Sequence, residues 1–133
     1  MKYRPILKSI LLKLNKGGSH MSTQLRKGVI EICVLTLIND RDMYGYEIVE
    51  NISRVMSVKE STIYPLLRRL TTEGNFETYM VKSEGGPDRK YYKITSYGKN
   101  NLRTLVREWD EFVRDVNLIL ECYRKESGNN DQK

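Results

Sequence analysis

The hydrophobic period of the chain changes at Gly74, and this change constrains the fold more than any other feature. Four apolar residues before it recur at the spacing of one helix face: Ile63, Leu66, Leu67 and Leu70. After it, residues 76–84 alternate as a strand, the GGPD segment at 85–88 predicts a turn, and residues 89–95 return as a second strand. The pattern therefore predicts a helix that ends at Gly74 and continues into a β-hairpin.

Two further helices are predicted before this one. Residues 25–38 are apolar on almost every face, and a helix of this kind must be covered both by its own domain and by a second surface. Polar residues at 39–42 interrupt the pattern, and helical spacing resumes over residues 44–54. The sequence SVKE at 57–60 matches a capping box, which predicts that the third helix begins there.

A long final helix is predicted over residues 99–125. Its apolar residues alternate spacings of three and four, which predicts a coiled-coil seam and dimerisation of the chain. The seam residues are Leu102, Leu105, Trp109, Phe112, Val116, Ile119 and Tyr123. Val106, Val113 and Leu120 widen the stripe, so we expect it to pack on a second copy and on the first helix. A helix that folds back on its own chain is the alternative, but a length of about 40 Å disfavours it.

These elements predict a mainly helical α+β fold with a small β-hairpin, the order of a winged helix-turn-helix followed by a long dimerisation helix. The expected domains are a leader at 1–20, a winged domain at 21–98, the dimerisation helix at 99–125 and a disordered tail at 126–133. The leader has five cations, no acid and an amphipathic pattern typical of membrane surfaces. We interpret it as a misplaced start before Met21 or as a cloning remnant, because GSHM at 18–21 resembles one.

The charge of the chain is concentrated in its middle third. The net charge is +6, but residues 54–100 have nine Lys and Arg against five Asp and Glu, whereas residues 101–133 have six against seven. A polyanionic partner would therefore meet residues 54–100.

Several classes of protein are disfavoured. The only histidine, His20, lies in the leader, and the sequence has no glycine-rich phosphate loop, nucleophile elbow or metal-ligand cluster, so we expect no enzyme, cofactor or metal. No apolar run is long enough to span a membrane, which favours a cytoplasmic protein. Cys33 and Cys122 lie in helical apolar patterns, so we expect two buried thiols, with a redox sensor as the alternative.

The third helix and the hairpin contain the candidate DNA-binding residues. The outward stripe of the helix has hydroxyls and a guanidinium but no carboxylate, and the hairpin interleaves cations with aromatic residues, as phosphate contacts require. The candidates are Lys59, Ser61, Thr62, Tyr64, Arg68, Arg69, Lys82, Arg89 and Lys90. Within this set, the helical phase gives Arg68 a larger role than Arg69. A solvated helix and a lysine-protected strand edge are the plain alternative.

Three motifs resemble those of the PadR-like transcriptional regulators. They are YGYEI at 44–48, TIYPLLRRL at 62–70 and RKYYKIT at 89–95, and the resemblance covers residues 25–123. It implies a homodimeric winged-helix regulator, usually a repressor, with its third helix in the major groove of double-stranded DNA. Some members bind flat aromatic ligands between subunits, which suggests Trp109 as an effector contact, with core packing as the alternative. Asp88 departs from the family at the wing tip and disfavours a phosphate contact there. A protein-assembly module without DNA binding remains the rival interpretation.

Overall fold

The computed structural model describes residues 28–130. Its elements are α1 (Ile30–Asp40), β1 (Met43–Tyr44), α2 (Gly45–Ser53), α3 (Glu60–Thr72), β2 (Phe76–Val81), β3 (Arg89–Ile94) and α4 (Ser96–Asn130). They form two compact units, one up to Leu102 and one from Arg103 onward. The predicted α+β class and the order of helices and hairpin are confirmed. The leader predicted at 1–20 lies outside the described residues.

The hairpin has the predicted register. Phe76 lies opposite Ile94 and Thr78 lies opposite Tyr92 in the antiparallel pair of β2 and β3. The sheet also has a third strand, because β1 pairs with β3 and gives the order β1-β3-β2. The sequence did not predict β1, since a strand of two residues cannot show alternation. It occupies Met43–Tyr44, where a break followed by a helix was predicted.

The core of the first unit lies where the helical spacing of the sequence places it. On α3, Ile63, Leu67 and Leu70 are buried, and Leu66 is half-buried. Val34 and Leu35 of α1 are fully buried, whereas other residues on this helix remain partly exposed in the single chain. The second covering surface predicted for α1 therefore remains a prediction.

Helix α3 begins at Glu60, within the predicted range 57–60, and ends before Gly74 as predicted, but the capping box that was used to predict its start is absent. The N-cap residue is Lys59, without a side-chain cap hydrogen bond, so Ser57 lies two residues before the cap and the capping box does not form. Glu60 is instead the first helical residue, where its charge favours the positive end of the helix dipole. At the other end, Gly74 has φ +92° and its backbone N–H donates to the Thr71 carbonyl at 3.0 Å. This left-handed glycine terminates the helix.

The bounds predicted for the last helix are too narrow. Helix α4 begins at Ser96 rather than at residue 99, and it continues to Asn130, so residues 126–130 are helical instead of a disordered tail. Gly98 lies in the first turn of this helix, and the side chain of Thr95 supports the start of the helix. The Gly98 N–H donates to Thr95 Oγ1 at 3.0 Å. Each further polar residue gains a backbone hydrogen bond once the helix has started.

The two cysteines differ in their surroundings. Cys33 is half-buried, and burial raises the pKa of its thiol. Cys122 is exposed in the single chain, so the prediction that both thiols are buried is wrong for this residue. An apolar position on a helix predicts burial only where a second surface covers it.

Candidate nucleic-acid interface

The outward face of α3 has the predicted composition. Ser61, Pro65, Arg68 and Thr72 are all exposed, and none of them is acidic. Pro65 lies inside the helix, where it cannot donate a backbone hydrogen bond. This stripe offers hydroxyl groups and one guanidinium to a partner.

A groove lies between α3 and the wing, which we define as the hairpin over residues 76–94. Helix α3 contributes Tyr64 and Arg68 to its lining, and the wing contributes Arg89 and Lys90. Asp88 is the one carboxylate among the lining residues of this groove. Three cations against one acid make the groove attractive to an anion.

Gly45 allows a tyrosine to enter this groove. A Cβ atom at Gly45 would lie 2.6 Å from Cε1 of Tyr64, so the ring of Tyr64 packs directly against the start of α2. Burial, followed by the charge of Glu60, raises the pKa of Tyr64. The glycine of the YGYEI motif therefore has a packing role that spacing alone did not reveal.

The two wing cations lie on opposite faces of β3, because side chains alternate along a strand. The Arg89 guanidinium carbon lies 4.7 Å from the centroid of the Tyr44 ring. Lys90 Nζ lies 5.9 Å from the centroid of the Tyr92 ring. Both distances are typical of cation–π contacts, which hold the two cations beside the groove.

Arg68 and Arg69 have different environments. The guanidinium of Arg69 donates to Glu73 at 3.0 Å and to Glu31 at 3.0 Å, and these hydrogen bonds raise the pKa of Arg69. Arg68 is exposed and forms no salt bridge with any residue between 28 and 130. Arg68 is therefore free to bind an external anion, whereas Arg69 already has two carboxylate partners.

The structure brings together only part of the predicted DNA-binding set. Tyr64, Arg68, Arg89 and Lys90 line the groove. The remaining candidates are exposed outside its lining: Lys59, Ser61, Thr62, Arg69 and Lys82.

A row of tyrosines crosses the outer face of the sheet, and the sequence did not reveal it. The ring centroid of Tyr91 lies 5.5 Å from that of Tyr44 and 5.6 Å from that of Tyr79. The Tyr79 hydroxyl donates to Asp42 Oδ2 at 2.6 Å, which raises the pKa of Tyr79 to about 12. The row fastens the wing to β1. The row can be recognised only once β1 is known to pair with β3, and a strand of two residues is too short to be predicted from the sequence.

Tyr79 should keep its proton to about pH 12 in the folded chain. Unfolded tyrosine titrates near pH 10, so this hydrogen bond contributes fully to stability below pH 10 and is lost as the pH rises toward 12. We expect Asp42→Asn to lower the pKa of Tyr79 toward 10, measured from the ¹³Cζ shift in a pH titration with Tyr79→Phe as the assignment control. A titration that is the same in both proteins would contradict the assigned cause.

The second unit exposes most of the predicted seam. The exposed fractions of Phe112, Ile119 and Tyr123 are 61%, 75% and 69%. Trp109 and Val116 are also exposed, and Leu105 is half-buried. The ring centroids of Trp109 and Phe112 lie 6.4 Å apart.

Leu102 is a correction to the predicted seam. It is only 9% exposed and belongs to the core of the first unit. The heptad spacing begins at Leu102, but at this position the apolar face of α4 packs into the core of its own chain. The seam available to a partner therefore begins at Leu105.

The part of the chain that the structure describes has neither a membrane-spanning helix nor a cluster of metal ligands. No helix within residues 28–130 is long and apolar enough to cross a membrane. Over the same residues, no three His, Cys, Asp or Glu side chains cluster as metal ligands.

Known proteins share both the sequence and the fold. The sequence profile of the Transcriptional regulator PadR-like family matches residues 34–104. An uncharacterized protein of Lysinibacillus sphaericus is 38% identical in an alignment of 99 residues that covers 71% of this chain and 91% of that protein. The negative transcriptional regulator PadR of Bacillus subtilis (strain 168) is 34% identical in an alignment of 114 residues. This alignment covers 76% of this chain and 62% of that protein.

Solved structures agree with this similarity. A PadR-like transcriptional regulator from Bacillus cereus superposes with a TM-score of 0.67 at 37% identity, covering 74% of this chain and 97% of its own. Bacillus subtilis PadR in complex with operator DNA superposes with a TM-score of 0.54 at 28% identity, covering 59% of this chain and 46% of its own. The fold is thus confirmed as a winged helix with a long C-terminal helix, and the prediction of a regulator instead of an enzyme is confirmed too. The chain belongs to the PadR-like family of transcriptional regulators.

Proposed function

We propose that this chain is a cytoplasmic transcriptional repressor that binds a pseudo-palindromic operator as a homodimer. Helix α3 is the recognition helix in the major groove, and the wing contacts the adjacent phosphate backbone. The observation that carries the proposal is the groove between α3 and the wing, whose lining includes three cations, Arg68, Arg89 and Lys90, and one carboxylate, that of Asp88.

The chemistry of this surface suits duplex DNA. Arginine binds phosphate and the edge of guanine through paired hydrogen bonds, and hydroxyl groups bind phosphate oxygens or bases. Arg68 has no salt bridge among the described residues, so binding DNA requires no internal ion pair to break. The position of Asp88 favours contacts through the strand cations instead of through the wing tip.

The homodimer is proposed from the exposed seam of α4. Phe112, Ile119 and Tyr123 expose large apolar side chains along one helix at heptad spacing. Apolar residues in such a continuous row mark an interaction surface, and a second copy of the same helix offers a matching row.

Repression and effector release are the finer parts of the proposal. The Bacillus subtilis relative is a negative transcriptional regulator, and its structure was determined with operator DNA. For an effector, the adjacent rings of Trp109 and Phe112 provide a surface on which a flat aromatic molecule can stack between subunits. In the alternative, these rings only fill the dimer core.

A pair of arginine variants tests the proposed surface. We expect Arg68→Ala to weaken binding to a duplex selected by the wild-type chain from a random pool by about 1–3 kcal/mol. Arg69→Ala is the matched control, because its guanidinium is held by Glu31 and Glu73 and its loss should change affinity far less. Equal losses for the two variants, at equal folded fractions by circular dichroism, would show that the helical phase that separates Arg68 from Arg69 is wrong.

A further inference from the structure

A buried polar cluster lies where α3 ends and α4 begins. We call it the joint, formed by Asn75, Thr95, Gly98 and Asn101, all within the first unit. The Asn75 side chain is fully buried. Its Nδ2 donates to the Leu70 carbonyl at 3.3 Å, and its Oδ1 accepts a hydrogen bond from Asn101 Nδ2 at 2.8 Å.

The backbone of Asn75 reaches the same elements. Its N–H donates to the Leu70 carbonyl at 2.9 Å, and its carbonyl accepts from the Thr95 N–H at 3.0 Å. The Thr95 hydroxyl donates to the Gly74 carbonyl at 2.6 Å, and the Asn75 carbonyl oxygen lies 3.1 Å from the same hydroxyl. One residue therefore connects the last turn of α3, the end of β3 and the second turn of α4.

Gly98 shows how closely the first turn of α4 approaches the joint. A Cβ atom at this position would lie 2.3 Å from the Asn75 carbonyl oxygen and 2.8 Å from Cγ1 of Ile94. The first of these neighbours is backbone, which cannot move aside as a flexible side chain does. The joint thus has a narrow set of allowed geometries.

A polar cluster around a buried asparagine favours one arrangement of its elements. A shift that breaks the hydrogen bond from Asn101 leaves Oδ1 of the fully buried Asn75 side chain without this partner. An apolar contact tolerates sliding more readily, because dispersion has no direction. The joint therefore specifies the angle between α3 and the start of α4 in addition to stabilising their contact.

We propose that Asn75 and Asn101 are positioning residues that set the orientation of the recognition helix relative to the first two turns of α4, and thereby the half-site spacing that the dimer accepts. This inference rests on the proposed function. In a dimer joined through α4, each recognition helix is connected to the other through two joints. A joint that has lost a hydrogen bond then allows a wider range of half-site spacings at which both recognition helices can bind together.

The test compares variants on duplexes whose selected half-sites are moved apart or together by one to three base pairs. Asn101→Ala removes the bond to Asn75 Oδ1 at a half-buried position. We expect the preference for the best spacing to fall by about threefold to tenfold, the factor that one net hydrogen bond represents. Asn101→Asp places a second acceptor against Asn75 and should flatten the profile in the same way. This second variant can be used for the test if the alanine variant folds poorly.

The matched control is Thr71→Ala, which removes the hydrogen bond from Thr71 Oγ1 to the Leu67 carbonyl at 2.7 Å within α3 and leaves the joint intact. Its spacing profile should match that of the wild type, even where its melting temperature falls. This separates positioning from stability, because lost stability lowers affinity at every spacing equally. If the Asn101 variants keep the wild-type profile, the inference is wrong while the proposed function stands. If the wild-type chain binds no duplex, the proposed function fails and the inference fails with it.

Discussion

Replacing both Phe112 and Val116 with glutamate should convert the proposed dimer into monomers. Both residues are exposed in the single chain and lie on the seam of α4. In a dimer the substitutions place four carboxylates in an apolar interface, and burying each unpaired charge costs several kcal/mol. Sedimentation velocity should show one species at the monomer mass at concentrations where the wild-type chain sediments as a dimer.

The same variant should also lose most of its affinity for the operator. Two linked recognition helices bind more tightly than one by the effective concentration of the second, a gain of about 10²–10⁴. Leu118→Glu is the matched control, because Leu118 is an exposed leucine on the same helix but lies outside the seam. We expect this control to remain a dimer with unchanged affinity. A dimer that survives the double substitution would contradict the assignment of the seam.

DNA affinity should depend steeply on salt. Residues 54–100 have four more cations than acids in each chain, and a dimer presents this excess twice. With about 6–10 phosphate contacts in total, affinity should fall by about 10³–10⁵ between 50 and 200 mM salt, because each contact releases counterions from the DNA. Fluorescence anisotropy of a labelled duplex measures this slope.

Two alanine variants assign the slope to the proposed surface. Arg89→Ala removes a cation that lines the groove, so it should reduce the slope by about one for each subunit if the side chain contacts a phosphate. Lys125→Ala removes an exposed cation from α4 and should leave the slope unchanged. Equal changes in both variants would mean that the salt dependence reflects total charge and not this surface.

The parts of the fold that were predicted correctly are those encoded in local periodicity. The spacing of Ile63, Leu67 and Leu70 gave the phase of α3, and from it the exposure of Arg68. Alternation gave the hairpin, because the side-chain period of a strand is two and a turn sequence lay between its halves. The left-handed Gly74 followed from the same local chemistry.

The features that were missed depend on residues far apart in the chain. Strand β1 exists because the hairpin offers it a partner, and the row of tyrosines exists because β1 is there. The close approach of the Asn75 carbonyl to Gly98 joins two residues that are far apart in the sequence. Arg69 resembles a second DNA-binding arginine until Glu31, 38 residues earlier, is found to accept from it. Local periodicity contains no information about any of these partners.

Sequence-specific DNA recognition is best tested by a footprint titration of the wild-type chain on its selected duplex and on a random duplex of equal length. We expect protection of two half-sites about 34 Å apart, one helical turn of DNA. We also expect weaker binding to the random duplex, and a loss of protection as the salt concentration rises from 50 to 200 mM. Equal affinity for both duplexes, or binding that does not change with salt, would contradict sequence-specific DNA recognition. That result would favour a winged-helix module for protein assembly.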